Sequence, residues 1–161
     1  MHELRFIAIP SAVADKVRTT SKSPGYGHPT HTELATGHGP CRHCLRTFVV
    51  GSDRRTLFTY DPFHGLHPIP LPGPVFIHAD ACERYDESIG FPEDLRTHPL
   101  TLGAYGEGRR LLHEVQVTDG IVEPVLDRLF DASEVRYVHV RDLNAGCYDF
   151  RVERAGGVEA A

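Results

Sequence analysis

No stretch of this chain stays apolar for long. Met1 to Pro10 carries only Phe6-Ile7-Ala8-Ile9 before a proline, too short for a signal-peptide core or a membrane span. The expectation is a soluble, cytoplasmic protein with no membrane partner. A basic block is missing as well: 17 Lys and Arg face 22 Asp and Glu, a formal charge of −5, and no run of cations tracks a phosphate backbone. That argues against nucleic acid and leaves a metal ion or a small molecule as the expected partner. The pairs Arg54/Arg55 and Arg109/Arg110 flank predicted strands, where solvated edge charges are common. Also lacking are a G-x-x-x-x-G-K phosphate loop, a G-x-G-x-x-G turn after a strand, a G-x-S-x-G elbow and any internal repeat.

What is present suffices for one core. With 161 residues, 40% of them hydrophobic and 24% charged, the composition is that of an ordinary globular domain and excludes wholesale disorder. Strands are predicted over residues 4–9, 55–60 and 75–78. A weak helical pattern covers Ser11 to Thr20, and the acidic Phe91-Pro92-Glu93-Asp94-Leu95 suits a helical turn. Pro99 to Val117, turning at Gly106-Glu107-Gly108, reads as a hairpin, and Val135 to Val152, turning at Leu143 to Gly146, as a second. Between them Ile121, Val122, Val125, Leu126, Leu129 and Phe130 form one apolar stripe, a helix that should lie on a sheet. The predicted architecture is α+β: antiparallel β-hairpins packed with one main helix, in a single compact domain over residues 1–161. Residues 21–40, rich in Gly, Pro, Thr and His, are expected to be a long loop, and 155–161 a frayed tail.

The phrases Gly73-Pro74-Val75-Phe76-Ile77-His78, Leu102-Gly103-Ala104-Tyr105, Tyr137-Val138-His139-Val140-Arg141 and Gly146-Cys147-Tyr148 occur in this order. Together they resemble the small bacterial family known as domain of unknown function 1203, over roughly residues 40–154. The resemblance implies one compact α+β domain and brings no activity with it. The His-rich loop before Cys41 has no counterpart in that pattern.

The chemistry-bearing residues are cysteines and histidines. Without a secretory signal, the four cysteines at 41, 44, 82 and 147 point to free thiols or metal ligation rather than disulfides. Cys41-Arg42-His43-Cys44 is the sharpest motif, because two thiolates separated by two residues can reach one tetrahedral ion from a tight turn. Zinc is the expected ion, and iron would also accept the knuckle. His78 and Cys82 supply the second half of the expected site from a strand end. The alternative is that Cys44 is a small buried apolar residue beside Leu45 while Cys41 merely sits in a loop. Their setting is not the strand-to-helix junction of a redox C-x-x-C, so little there lowers a thiol pKa.

A second constellation is His139, Arg141 and Cys147, beside Tyr148, which a tight hairpin brings to neighbouring strand ends. Here Cys147 with His139 as base would attack an electrophile, and Arg141 would hold a small anionic substrate. A buried thiol and a hydrogen-bonded core histidine explain the same letters. Joining His78 and Cys82 with His139 and Cys147 gives an alternative Cys₂His₂ set, a choice that the residues leave open. Two H-x-x-H clusters, His28 with His31 and His64 with His67, lie in Pro- and Gly-rich loops and lack the helix and glutamate of a metalloprotease. Three readings follow: a zinc-binding protein, a metal-independent Cys-His enzyme, and a non-catalytic interaction module.

Overall fold

A computed structural model of the chain describes residues 1–156. In chain order the elements are β1 (Leu4–Ile7), α1 (Ser11–Thr20), β2 (His31–Leu34), β3 (Arg54–Tyr60), β4 (Gly73–His78), a 3-10 turn (Glu93–Leu95), β5 (Leu100–Tyr105), β6 (Leu111–Val117), α2 (Glu123–Asp131), β7 (Tyr137–Asp142) and β8 (Tyr148–Arg154). They build a five-stranded sheet in the order β1-β8-β7-β5-β6 and a three-stranded sheet in the order β2-β3-β4, antiparallel throughout. The architecture is β-rich α+β. No helix among the described residues is long and apolar enough to cross a membrane.

Alternation along the strands divides the large sheet into two faces. Leu100, Leu102 and Ala104 of β5, Val138 and Val140 of β7 and Phe150 and Val152 of β8 pack with Leu126, Leu129 and Phe130 of α2 in the main core. Pro124 is tolerated because it stands in the first turn of α2. The opposite face carries Tyr105, Tyr137 and His139. Tyr105 and Tyr137 stack with ring centroids 5.2 Å apart and, with Phe63, form a separate cluster. The small sheet turns Phe58, Val75 and Ile77 into a core shared with Ala14 and Val17 of α1, Phe48, Cys41 and Cys44.

A β-bulge decides what the second face of the large sheet holds. Val140 pairs with Phe150 but Arg141 with Tyr148, leaving Asp149 as the extra residue. Strict alternation from Phe150 would send Tyr148 into the core. The bulge moves it to the other face, where its ring lies 4.9 Å from that of His139.

Three expectations are modified. The described residues form two α-helices of nearly equal length, ten and nine residues, rather than one main helix, because α1 buries Ala14 and Val17 despite its weak pattern. The segment 21–40 is not wholly loop: Thr32 and its neighbours pair with β3 as β2, and Lys22 bridges to Pro29. Of the expected tail, 155–156 form a turn and 157–161 lie outside the described residues.

Candidate metal centre

The Cys41–Cys44 segment is a tight turn. The Leu45 amide donates to the Cys41 carbonyl and the Cys41 amide to the Arg46 carbonyl, both at 2.8 Å. Leu45 closes the turn at φ 57°, a left-handed conformation rare for a branched side chain, which costs on the order of 1–3 kcal/mol and persists only where the surroundings enforce it. Those surroundings are the main core, in which Leu45 is buried. The turn thereby aims both thiols at the end of β4.

There the structure brings Cys41, Cys44, His78 and Cys82 together, with one donor atom from each lying within 4.8 Å of all the others. The Cys41 and Cys82 sulfurs are 3.8 Å apart, and Cys44 Sγ lies 3.4 Å from His78 Nδ1. A tetrahedral zinc with bonds of about 2.3 Å to sulfur and about 2.0–2.1 Å to nitrogen sets these separations at about 3.8 Å and about 3.6 Å. Cys41 and Cys44 are buried and the other two partly so.

A surrounding shell orients these groups. His78 turns Nδ1 to the cluster and Nε2 to Asp53 Oδ2 at 3.1 Å, the carboxylate–imidazole arrangement that fixes the tautomer of a metal-binding histidine. Cys82 Sγ lies 3.2 Å from both Arg18 Nη2 and His43 Nδ1, and His43 Nε2 is in turn 2.9 Å from Ser11 Oγ. The His78 amide donates to Cys41 Sγ at 3.2 Å. Burial disfavours ionising Cys41, but hydrogen bonds from Cys44, Cys82 and His78 outweigh it and hold its thiol well below the usual range. Hydrogen bonds to Cys41 and Cys82, with burial, push Cys44 far up. His78 rises to about 10, chiefly through its bonds to Cys41 and Cys82. The donors are thus closely coupled, a Cys41 thiolate beside a protonated Cys44 and a protonated His78, and these are the protons that a bound cation would displace.

Arg42, between the two cysteines, anchors the turn to the large sheet. It is buried, donates from Nε to the Tyr148 carbonyl and from Nη1 to the Pro40 carbonyl at 2.8 Å, and meets the Asp149 carboxylate at 3.3 Å. Burial pushes Asp149 up to about 7, an effect that the Arg42 charge only partly offsets.

His139 and Cys147 lie elsewhere, lining with Arg141 a cavity between the two sheets. The Cys₂His₂ alternative is therefore not assembled. The Cys147 thiol approaches the Ala145 carbonyl at 4.0 Å, and no hydrogen bond joins it to His139 among the described residues. His139, 1% exposed, is pushed down to about 3, first by burial and then by Arg151 and Arg141. His28 engages Thr59 and His31 engages Glu33.

Asp53, Arg18, His43 and Ser11 were not among the expected site residues. His43 was visible inside the C-x-x-C motif, but Asp53 and Arg18 are distant in sequence and carry no local signature.

Residues 38–154 match the family described as Protein of unknown function (DUF1203), and the chain belongs to it. The match includes all four clustered residues, the Asp53 that orients His78, and the whole inter-sheet cavity wall. No curated protein and no solved structure matches the chain.

Proposed function

We propose that the protein binds one zinc ion through Cys41, Cys44, His78 and Cys82, in a structural rather than catalytic site. The observation that carries this reading is the spacing of the four donor atoms, all within 4.8 Å of one another with two separations near tetrahedral values, backed by the Asp53 carboxylate behind His78. Four protein ligands leave no open position for substrate, which is the mark of a structural site. Three thiolates and a neutral imidazole give a zinc complex one net negative charge, and the Arg18 guanidinium beside Cys82 balances it. Iron accepts the same donors, so zinc and iron are compared directly by elemental analysis.

The ion would fasten the 41–45 turn, the end of β4 and the loop carrying Cys82 to one point. Through Arg42 that point is held to β8. The proposed function is therefore to brace the contact between the two sheets, and with it the cavity between them. The test is metal content: the purified chain should carry about one zinc per molecule, Cys44→Ser should lose most of it, and Cys147→Ser should keep it. Stoichiometric metal that survives Cys44→Ser would overturn the assignment.

A further inference from the structure

The cavity between the sheets has the features of a ligand site in its own right. Its volume is about 260 Å³, just below the roughly 300–1,000 Å³ of common small-molecule pockets, so it suits a compact guest. Tyr60 comes from the small sheet, Phe63 from the connector after β3, and Tyr105, His139, Arg141 and Tyr148 from the large sheet. Gly103 makes room beside them, since a Cβ there would come within 3.2 Å of the Tyr105 ring.

Two polar atoms in this wall are buried and have no hydrogen-bond partner among the described residues: His139 Nε2 and Arg141 Nε. Native proteins leave few such atoms, and two in one otherwise largely apolar cavity call for an explanation. Arg141 and His139 are two apart on β7 and share a face. Arg141 Nη2 is steadied by Glu114 at 3.2 Å, while the wall itself contains no Asp or Glu. The wall thus presents one cationic side chain, Arg141, partnered from outside by Glu114, and the remaining surface is aromatic and aliphatic.

We infer that this cavity binds a small aromatic monocarboxylate, its ring held among Tyr60, Phe63 and Tyr105 and its carboxylate received by Arg141 and His139. An arginine supplies planar, charge-assisted donors suited to a carboxylate, and a neutral imidazole adds one N–H. Aromatic side chains supply offset or edge contacts to a flat ring. The assignment does not depend on which metal the cysteine cluster takes.

The test uses the full chain as purified, titrated with benzoate, 4-hydroxybenzoate and phenylacetate and followed by amide and side-chain NMR shifts. At least one of these acids should give saturable shifts at Tyr105, His139, Arg141 and Tyr148. Its neutral amide, and acetate, should each bind at least ten-fold more weakly. Arg141→Gln should lower the affinity ten-fold while keeping a dispersed spectrum. The inference fails if none of the acids saturates, if the shifts map away from the cavity, if the amide binds as well as the acid, or if acetate matches it. Should Arg141→Gln not fold, the acid–amide–acetate comparison on the unaltered chain decides alone.

Discussion

At the scale of single residues, His78 and His139 show how one side-chain type takes opposite roles. His78 presents one nitrogen to the thiols and the other to Asp53, whereas His139 stands among Phe63, Tyr105, Tyr137 and Tyr148 with its Nε2 unpaired. Asp53→Asn removes the carboxylate that orients His78 and should weaken zinc about 10–100-fold, read by competition with a chromophoric chelator. Unchanged affinity would mean that Asp53 does not support the site. For His139 the expected outcome is a neutral ring across pH 8 to 5, with its midpoint near 3, seen in long-range ¹H–¹⁵N spectra. Below about 6.5 the unfolded chain takes up a proton that the folded His139 refuses, so this residue's contribution to stability is lost as pH falls toward about 3. Asp149 acts in the other direction. Raised to about 7 in the fold, it favours the folded state most below its unfolded value, and that contribution is lost as pH rises through 7. Replacing His139 by Phe should therefore leave a stability profile that declines more steeply with pH between about 4 and about 6.5. An identical slope in both proteins would contradict the buried, neutral histidine.

At the scale of elements, the local code was legible where it was strong. Of the stripe from Ile121 to Phe130, Val125 onward became α2, with Val122 as its N-cap and Ile121 left exposed before it, and the Gly106–Gly108 and Leu143–Gly146 turns closed the hairpins predicted there. The C-x-x-C motif was legible because its geometry is local, and His78 and Cys82 because β4 ends between them. The bulge at Asp149 had no signature: it depends on a buried arginine more than a hundred residues earlier. The strand β2 was hidden because His31 to Leu34 is polar and mostly exposed, an edge strand held by pairing rather than by an apolar face. Arg42 links these levels, since it lies inside the knuckle and meets the bulge. Arg42→Ala would strand Asp149 in the interior and should cost about 3–5 kcal/mol in denaturant unfolding of the metal-loaded chain. A loss under about 1 kcal/mol, the usual range of an exposed pair, would show that the knuckle is not anchored this way.

At the scale of the whole molecule, the two sheets enclose separate cores, and the cysteine cluster lies in the smaller one while Arg42 reaches the larger sheet. If zinc braces this junction, its binding free energy is part of the folding free energy. Chelation should lower the unfolding temperature and should broaden the NMR signals of Cys41 to Leu45 and of β4 before those of α2. Loss of zinc with no change in unfolding temperature would reduce the site to an incidental one. The most direct measurement is X-ray absorption at the zinc edge of the purified protein. Ligation by the four residues predicts three sulfur scatterers at about 2.3 Å and one nitrogen at about 2.0–2.1 Å. A shell of light atoms alone, or one with two sulfurs, would contradict ligation by Cys41, Cys44, His78 and Cys82.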